Sequence, residues 1–331
     1  MDPRHVVVFD TKRPNLAIER QVFDEFDGPV EIEMSPHRTE AGVIEAAMDA
    51  EGIMVDAGTP VTERVLDALD ALKIVARVGI GVDNIAIDAA HDRGIAVTNV
   101  PDYSVDEVST HALGLLITLA REIPTYNADT EAGNWDWKRG VPLFRLQERT
   151  LGVIAFGRIG RRIAQKAKPL FETVVAYDPY LDDDVFETHG VERVGFDELL
   201  RRADAISMHT PLTEETESMI DTAAFETMAA DDTDAGMILI NTSRGGVIDE
   251  EALIEALDSG TVRAAGLDVL AEEPPSDRRL LDRDDVIVTP HIGWYSEESR
   301  DEVRRRAAEE IRRVFRGEIP ANDVTTGAEW L

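Results

Sequence analysis

Short apolar runs alternate with amphipathic stretches along the first hundred residues. The runs at 6–9, 52–55, 74–78 and 95–97 predict strands, and 41–50 and 62–71 predict helices, the second with Thr62 as candidate N-cap. Such alternation implies a parallel α/β sheet. The stretch 105–121 places Val105, Val108, Ala112, Leu115, Leu116 and Leu119 at helical spacing, which predicts a long, mostly buried helix. A polar stretch with Trp135 and Trp137 follows. A second α/β series then begins, with strands expected at 151–156, 173–177, 205–209, 237–241, 264–269 and 286–289. Pro179, Pro211, Gly260 and Pro274-Pro275 punctuate it. The pattern from 296 to 316 is one charged amphipathic helix whose apolar face is Val303, Ala307, Ile311 and Val314. The acidic run at 231–234 reads as a solvated loop.

Composition narrows this picture. At ~150 residues per domain, 331 residues make about two domains. A hydrophobic share of 43% is enough for real cores and argues against global disorder. With no cysteine there is no disulfide framework, thiolate metal site or thiol nucleophile. The seven histidines show no close metal-ligand spacing, so no metal is expected. The four apolar residues at 6–9 are too few for a signal peptide, and no segment reaches the ~20 needed for a membrane span. A cytoplasmic protein without membrane contact is therefore expected. The net charge of −32 would repel nucleic acid. It also suggests a halophilic host, because molar salt shortens screening to ~3 Å and relieves self-repulsion.

The segment Ala155-Phe156-Gly157-Arg158-Ile159-Gly160 ends an apolar strand and opens a helix. Gly157 would let the backbone approach a pyrophosphate, and Gly160 would let helix and strand pack closely. Ala155 stands where the first glycine of a dinucleotide fingerprint is usual. By itself the loop could equally be a tight turn without a ligand. Asp178, after the next predicted strand, could accept from both hydroxyls of an adenosine ribose and would repel a 2′-phosphate. Together these features favour NAD over NADP.

Three further segments follow in order. They are Asn241-Thr242-Ser243-Arg244-Gly245-Gly246, Gly266-Leu267-Asp268-Val269 with Glu272-Glu273-Pro274, and Thr289-Pro290-His291-Ile292-Gly293-Trp294. With the loop above they resemble the D-isomer-specific 2-hydroxyacid dehydrogenase family. The segments at 77–84 and 209–213 also look like family segments, so the resemblance covers most of the chain. Residues 291–296 and 105–108 look most like the branch containing the C-terminal binding proteins.

The resemblance implies an NAD-dependent enzyme reducing a small 2-oxo acid or oxidising the matching 2-hydroxy acid. His291 would be the proton donor, Glu273 would pair with it and hold it protonated, and Arg244 would grip the substrate carboxylate. Taken singly, these residues are better read as a loop histidine, a surface acid and a loop salt bridge. Their joint occurrence in the family's order favours catalysis. Arg158 and Ile159 would meet the pyrophosphate through their backbone, beside Gly157 and Gly160. His209, Pro211 and Thr216 would line the adenosine side. Thr242 would face the nicotinamide, Asp268 would accept from its carboxamide, and Gly293 would give room beside His291. The backbone of Val78, Gly79 and Ile80 would bind the substrate carboxylate, with Arg77 adding charge and Trp294 an apolar wall. His111 stands where relatives often place a small hydroxyl residue.

The fold implied is two Rossmann-like/flavodoxin-like α/β domains with parallel sheets. An NAD-binding domain, 101–288, is inserted into a discontinuous substrate domain, 1–100 and 289–331. The helices at 105–121 and 296–316 would connect them, and the active site would occupy the cleft between. A homodimer is expected, with Trp135 and Trp137 as interface candidates or as ordinary intrachain packing. Any of several 2-oxo acids would fit. A 3-phosphoglycerate role has against it the lack of a C-terminal extension and of an evident basic cluster. A second reading is an NAD-sensing protein whose task is partner binding; turnover of a 2-oxo acid discriminates the two.

Overall fold

The computed structural model describes residues 2–9, 15–229 and 236–325. The acidic run at 231–234 lies outside them. In chain order the elements begin β1 (Arg4–Phe9), α1 (Ala17–Phe23), β2 (Val30–Ser35), α2 (Glu40–Ala47), β3 (Gly52–Val55), α3 (Glu63–Ala68), β4 (Ile74–Arg77), α4 (Ile87–Asp92) and β5 (Ala96–Thr98). Two helices follow, α5 (Val105–Ala120) and α6 (Ile123–Glu131). Next come β6 (Thr150–Ile154), α7 (Arg158–Ala167), β7 (Thr173–Tyr177), α8 (Asp183–His189), β8 (Glu192–Arg193), α9 (Phe196–Arg202) and β9 (Ala205–Met208). The remaining elements are α10 (Thr222–Ala229), β10 (Met237–Asn241), α11 (Glu250–Ser259), β11 (Val262–Leu267), β12 (Val286–Val288) and α12 (Glu297–Phe315).

These elements form two compact units. One is built from residues up to Tyr103 together with those from Ser296 onward, and the other is Ser104–Tyr295.

The first unit holds a five-stranded sheet in the order β2-β1-β3-β4-β5, all pairs parallel. This is the flavodoxin-like order. Successive side chains of a strand point to opposite faces. Val7, Phe9, Ile53 and Val75 therefore join one core, against α2 and α3, while Val6, Val8, Met54 and Ile74 join another, against α12. Both faces are covered, which is why these strands read as unbroken apolar runs. Strand β2 is not an apolar run. Its Val30, Ile32 and Met34 pack inward while Glu31 and Glu33 face water, as befits an edge strand.

Ser296 caps α12 reciprocally with Ser299: each side-chain oxygen accepts the other's backbone N–H, at 2.9 and 2.8 Å. Val303, Ala307 and Ile311 are buried as expected and Val314 is half-buried. Arg304 is buried too, outside the expected apolar face. It donates twice to Glu19 of α1, both at 2.8 Å, and to the Asn15 carbonyl at 2.7 Å. Thr62 stands at the N-cap position of α3 but makes no capping bond; its hydroxyl donates to Glu40 at 2.6 Å instead.

The second unit holds a seven-stranded parallel sheet, β12-β11-β10-β9-β6-β7-β8. The chain order reverses between β6 and β9. In doubly wound sheets, ligands bind beyond the strand ends at such a switch point. The segment that follows β6 is the candidate phosphate loop. Helix α5 buries Val108, Ala112, Leu115, Leu116 and Leu119 against this sheet, leaving Val105 half-buried. Strand ends differ from the sequence expectation by a few residues at several places. No described helix is long and apolar enough to cross a membrane.

Candidate active site

Beyond β6, Ala155 adopts φ 65°, in the left-handed region. That conformation costs a residue with a Cβ ~1–2 kcal/mol, which is why glycine is usual there. The turn keeps its shape with alanine in place. Gly157 caps α7, and a Cβ added there would meet no atom within 4 Å, so the space before it is open. At Gly160 an added Cβ would lie 2.1 Å from the Ala155 carbonyl oxygen; only glycine permits this approach. No acidic side chain lies in the first turn of α7, whose free N–H groups favour an anion. Arg158 is exposed and Ile159 half-buried.

Asp178, at the end of β7, is buried. One carboxylate oxygen accepts from Phe156 N at 2.8 Å and the other from Tyr180 N at 3.0 Å. The acid thus ties the loop to the neighbouring strand, and each oxygen keeps a lone pair for a further donor.

Beyond β9, the Nδ1 of His209 and the hydroxyl of Thr210 are buried without a protein hydrogen-bond partner, as is the hydroxyl of Thr242 beyond β10. Leaving such groups unmet costs ~1–3 kcal/mol each. Loss of surrounding water pushes the His209 imidazole well below its ordinary range, so it is neutral. These unmet atoms, the open space at Gly157 and the bare helix end fit a dinucleotide. Pro211 is exposed. The Thr216 hydroxyl stays within its own turn, donating to the Pro211 carbonyl at 2.6 Å and accepting from Thr213 N at 2.8 Å.

The loop after β10 is held by Asn241, which the sequence reading left without a role. Its side-chain oxygen accepts from Ser243 N (3.0 Å) and Oγ (2.7 Å), and its amide donates to the Arg244 carbonyl at 2.8 Å. An Asx turn of this kind is the signal that could have found it. A Cβ on Gly245 would fall 2.1 Å from the Leu270 carbonyl oxygen, so glycine lets the Arg244 loop lie against the segment leading to Glu273.

His291 has φ 52°, and its Nδ1 lies 2.9 Å from Glu273 Oε2. The side chains are 31% and 40% exposed, so the pair is reachable from solvent. Burial pushes the Glu273 carboxyl up. The His291 bond and charge, the Leu270 N–H and the Arg244 charge outweigh it and hold Glu273 below its ordinary value. Structure therefore brings together His291, Glu273 and the field of Arg244.

Asp268 is buried beside them. It accepts from Thr289 Oγ1 at 2.6 Å, Ile292 N at 2.9 Å and Gly293 N at 2.8 Å. Trp294 is half-buried, edge-on to Tyr295 at 5.5 Å. Arg77 to Ile80 belong to the other unit, at the end of β4. Arg77 is buried and donates to the Val78 carbonyl at 2.5 Å, while the Gly79 and Ile80 carbonyls accept from Val100 N and Asn99 Nδ2.

A cavity of about 650 Å³ opens beside α5, lined among others by Thr110, His111, Thr118, Ile292 and Tyr295. Gly293, whose N–H is bonded to Asp268, is part of its lining, while Gly157, Asp178, Arg244, Glu273 and His291 are not.

A family model described as "D-isomer specific 2-hydroxyacid dehydrogenase, NAD binding domain" matches residues 113–293. The D-3-phosphoglycerate dehydrogenase of Methanocaldococcus jannaschii is 42% identical over 297 residues, covering 89% of this chain and 55% of that protein. The chain spans about half the length of the curated relatives it matches. Among solved structures, D-lactate dehydrogenase from Aquifex aeolicus, complexed with NAD and lactic acid, aligns with a TM-score of 0.88. It is 27% identical and is covered over 98% of this chain and 100% of that one. A glyoxylate reductase from Paecilomyes thermophila aligns with a TM-score of 0.86 at 26% identity, over 98% of this chain and 99% of that one. With its NAD-binding domain matched over the stretch that carries the phosphate loop and the His291–Glu273 pair, the chain belongs to the D-isomer-specific 2-hydroxyacid dehydrogenase family.

Proposed function

We propose that this chain is an NAD-dependent D-2-hydroxyacid dehydrogenase, working as a 2-oxoacid reductase. The observation that carries the reading is the 2.9 Å pair of His291 and Glu273, with the Arg244 charge acting on the same carboxylate. NADH, when bound, supplies the hydride that the carbonyl carbon receives. Gly157 to Gly160 and the ends of β7, β9 and β10 hold the dinucleotide. Asp178 selects the unphosphorylated ribose. Arg244 grips the substrate carboxylate with its planar fork, and its charge draws electron density toward the carbonyl oxygen. Nδ1 of His291 is committed to Glu273, which leaves Nε2 to deliver the proton to that oxygen. Glu273 stays ionised and so favours the imidazolium that must start the reduction. Asp268 and Gly293 shape the nicotinamide side. Val78 to Ile80 and Trp294 complete the substrate contacts, by family resemblance.

The test is a panel of glyoxylate, pyruvate, hydroxypyruvate and bulkier 2-oxo acids with NADH and NADPH, and D-3-phosphoglycerate in the reverse direction. Turnover with NADH is expected, with the NADH preference eroded in Asp178→Ala. No turnover of any acid, with NADH binding intact, would favour the NAD-sensing alternative suggested by likeness to the C-terminal binding proteins. We also place the enzyme in a salt-rich cytoplasm, on its charge of −32. Rates in the same panel should then rise toward molar KCl, and rates that fall with salt would count against it.

We further propose a homodimer. Among the described residues, Trp135 and Trp137 are 91% and 72% exposed, and Ile123 and Val141 about half, on a segment whose α6 buries no residue. Large apolar side chains so exposed support an association surface over ordinary packing within the chain. Trp135→Ser with Trp137→Ser should convert dimer to monomer in sedimentation velocity; an unchanged mass would discard this surface.

A further inference from the structure

His111 plays no part in the scheme above. It projects from α5, and its Nε2 lies 3.0 Å from Thr289 Oγ1 and 3.5 Å from Asp268 Oδ1. Thr289 Oγ1 lies 2.6 Å from that same Oδ1. Asp268 is 2% exposed, and its two oxygens accept the backbone N–H groups of Ile292 and Gly293, the two residues after His291. His291 N in turn donates to the backbone carbonyls of Asp268 (2.8 Å) and Thr289 (2.9 Å). The turn that carries the proton donor is thus bonded to Asp268 from both sides.

Proton bookkeeping orders this network. Burial raises the Asp268 carboxyl, but His111, Thr289 and the two N–H groups outweigh it and hold it below its ordinary value, so it is ionised and accepts only. A threonine hydroxyl has one hydrogen. Thr289 gives it to Asp268, so its lone pair accepts from His111. The proton on His111 therefore sits on Nε2, a tautomer assigned by the network.

The left-handed bend at His291 costs ~1–2 kcal/mol for a residue with a Cβ, and persists only where surrounding bonds over-determine it. We infer that His111 is a positioning residue: through Thr289 and Asp268 it holds the turn that aims His291 at Glu273. The rate consequence rests on the dehydrogenase reading; the hydrogen-bond chain does not. Losing the His111 donor lets the Thr289 hydroxyl rotate away from Asp268 and loosens the turn. Misplacing a catalytic group by ~1 Å can cost up to ~10²-fold.

The experiment compares His111→Leu, His111→Gln, Thr289→Val and the double variant His111→Leu/Thr289→Val. In His111→Gln the amide N–H can stand where Nε2–H stood. His111→Leu should lower kcat by ~10–10²-fold with NADH affinity near wild type. Gln should restore most of that loss. Thr289→Val, which keeps the side-chain shape, should lose as much as His111→Leu, and the double variant should be no worse than either, since the residues act as one chain. Nitrogen-15 spectra of the wild type should show His111 protonated at Nε2, and Thr289→Val should shift both the His111 and the His291 ring signals. Wild-type kcat in His111→Leu, a Gln variant as impaired as Leu, or multiplying losses in the double variant would overturn the proposal. So would a bare Nε2. Should the wild type turn over no 2-oxo acid, the dehydrogenase reading falls, while the ring signals still decide whether the chain exists.

Discussion

Turnover should fall by ~10²–10⁴-fold when His291 is replaced by Asn, the usual loss for a positioned general acid. Asn keeps a polar side chain of similar reach but has no proton to give at working pH. NADH titrations should be little changed, because the phosphate loop is anchored separately, through Asp178, Gly160 and the open end of α7. The companion variant is Glu273→Gln. Glu273 lies below its ordinary value, so its negative charge persists as pH falls into the range where a free glutamate would take a proton. Gln removes that charge, so kcat should fall at every pH at which Glu273 is ionised, and the gap to wild type should close only below the range of a free carboxylate. The dependence of rate on pH in the wild type and both variants checks the pair. Wild-type kcat in Glu273→Gln would break the Glu273 role, and near-normal turnover by His291→Asn would remove the mechanism altogether.

The second large effect concerns stability. Arg304 and Glu19 are 3% and 0% exposed and joined by two bonds of 2.8 Å. Removing one partner of a buried pair strands the other charge and typically costs ~3–5 kcal/mol. Arg304→Met should lower stability by about that amount in urea unfolding monitored by circular dichroism. Replacing both, as Glu19→Leu with Arg304→Met, should recover most of the loss, because no charge is then stranded. A single variant that loses less than ~1 kcal/mol, the scale of exposed pairs, would mean that water reaches the site.

The sequence reading is strongest where one physical cause acts locally. Val6 to Phe9 and Met237 to Asn241 are strands buried on both faces, and nothing but an apolar run satisfies that position. The phosphate loop is legible because its glycines answer to contacts with near neighbours, Gly160 to Ala155 above all. The Arg244, Glu273 and His291 set is legible only through the order of its motifs, since nothing local in any of the three marks a function.

What escapes is whatever depends on a distant partner. In a chain with 66 acids, Glu19 looks like one more solvated carboxylate until α12 lies over it. Edge strand β2 hides because its glutamates are as regular as its apolar residues. His111 and Thr289 are 178 residues apart, and no spacing rule links them. Trp135 and Trp137 show the reverse case: in the sequence they fit an interface or packing within the chain alike, and the structure leaves them exposed.

The division of the chain also sets an order in time. Glu19 emerges from the ribosome 285 residues before Arg304, a delay on the order of 15–60 s at ~5–20 residues per second. All of Ser104–Tyr295 is made in that interval, so the inserted unit has its whole sequence in hand while the unit around it is still waiting for a helix. Until α12 arrives, the face formed by Val6, Val8, Met54 and Ile74 lacks the Val303, Ala307 and Ile311 that complete its core. The nascent chain therefore carries a half-covered sheet for as long as the second unit is being made, with Glu19 left to water until Arg304 reaches it.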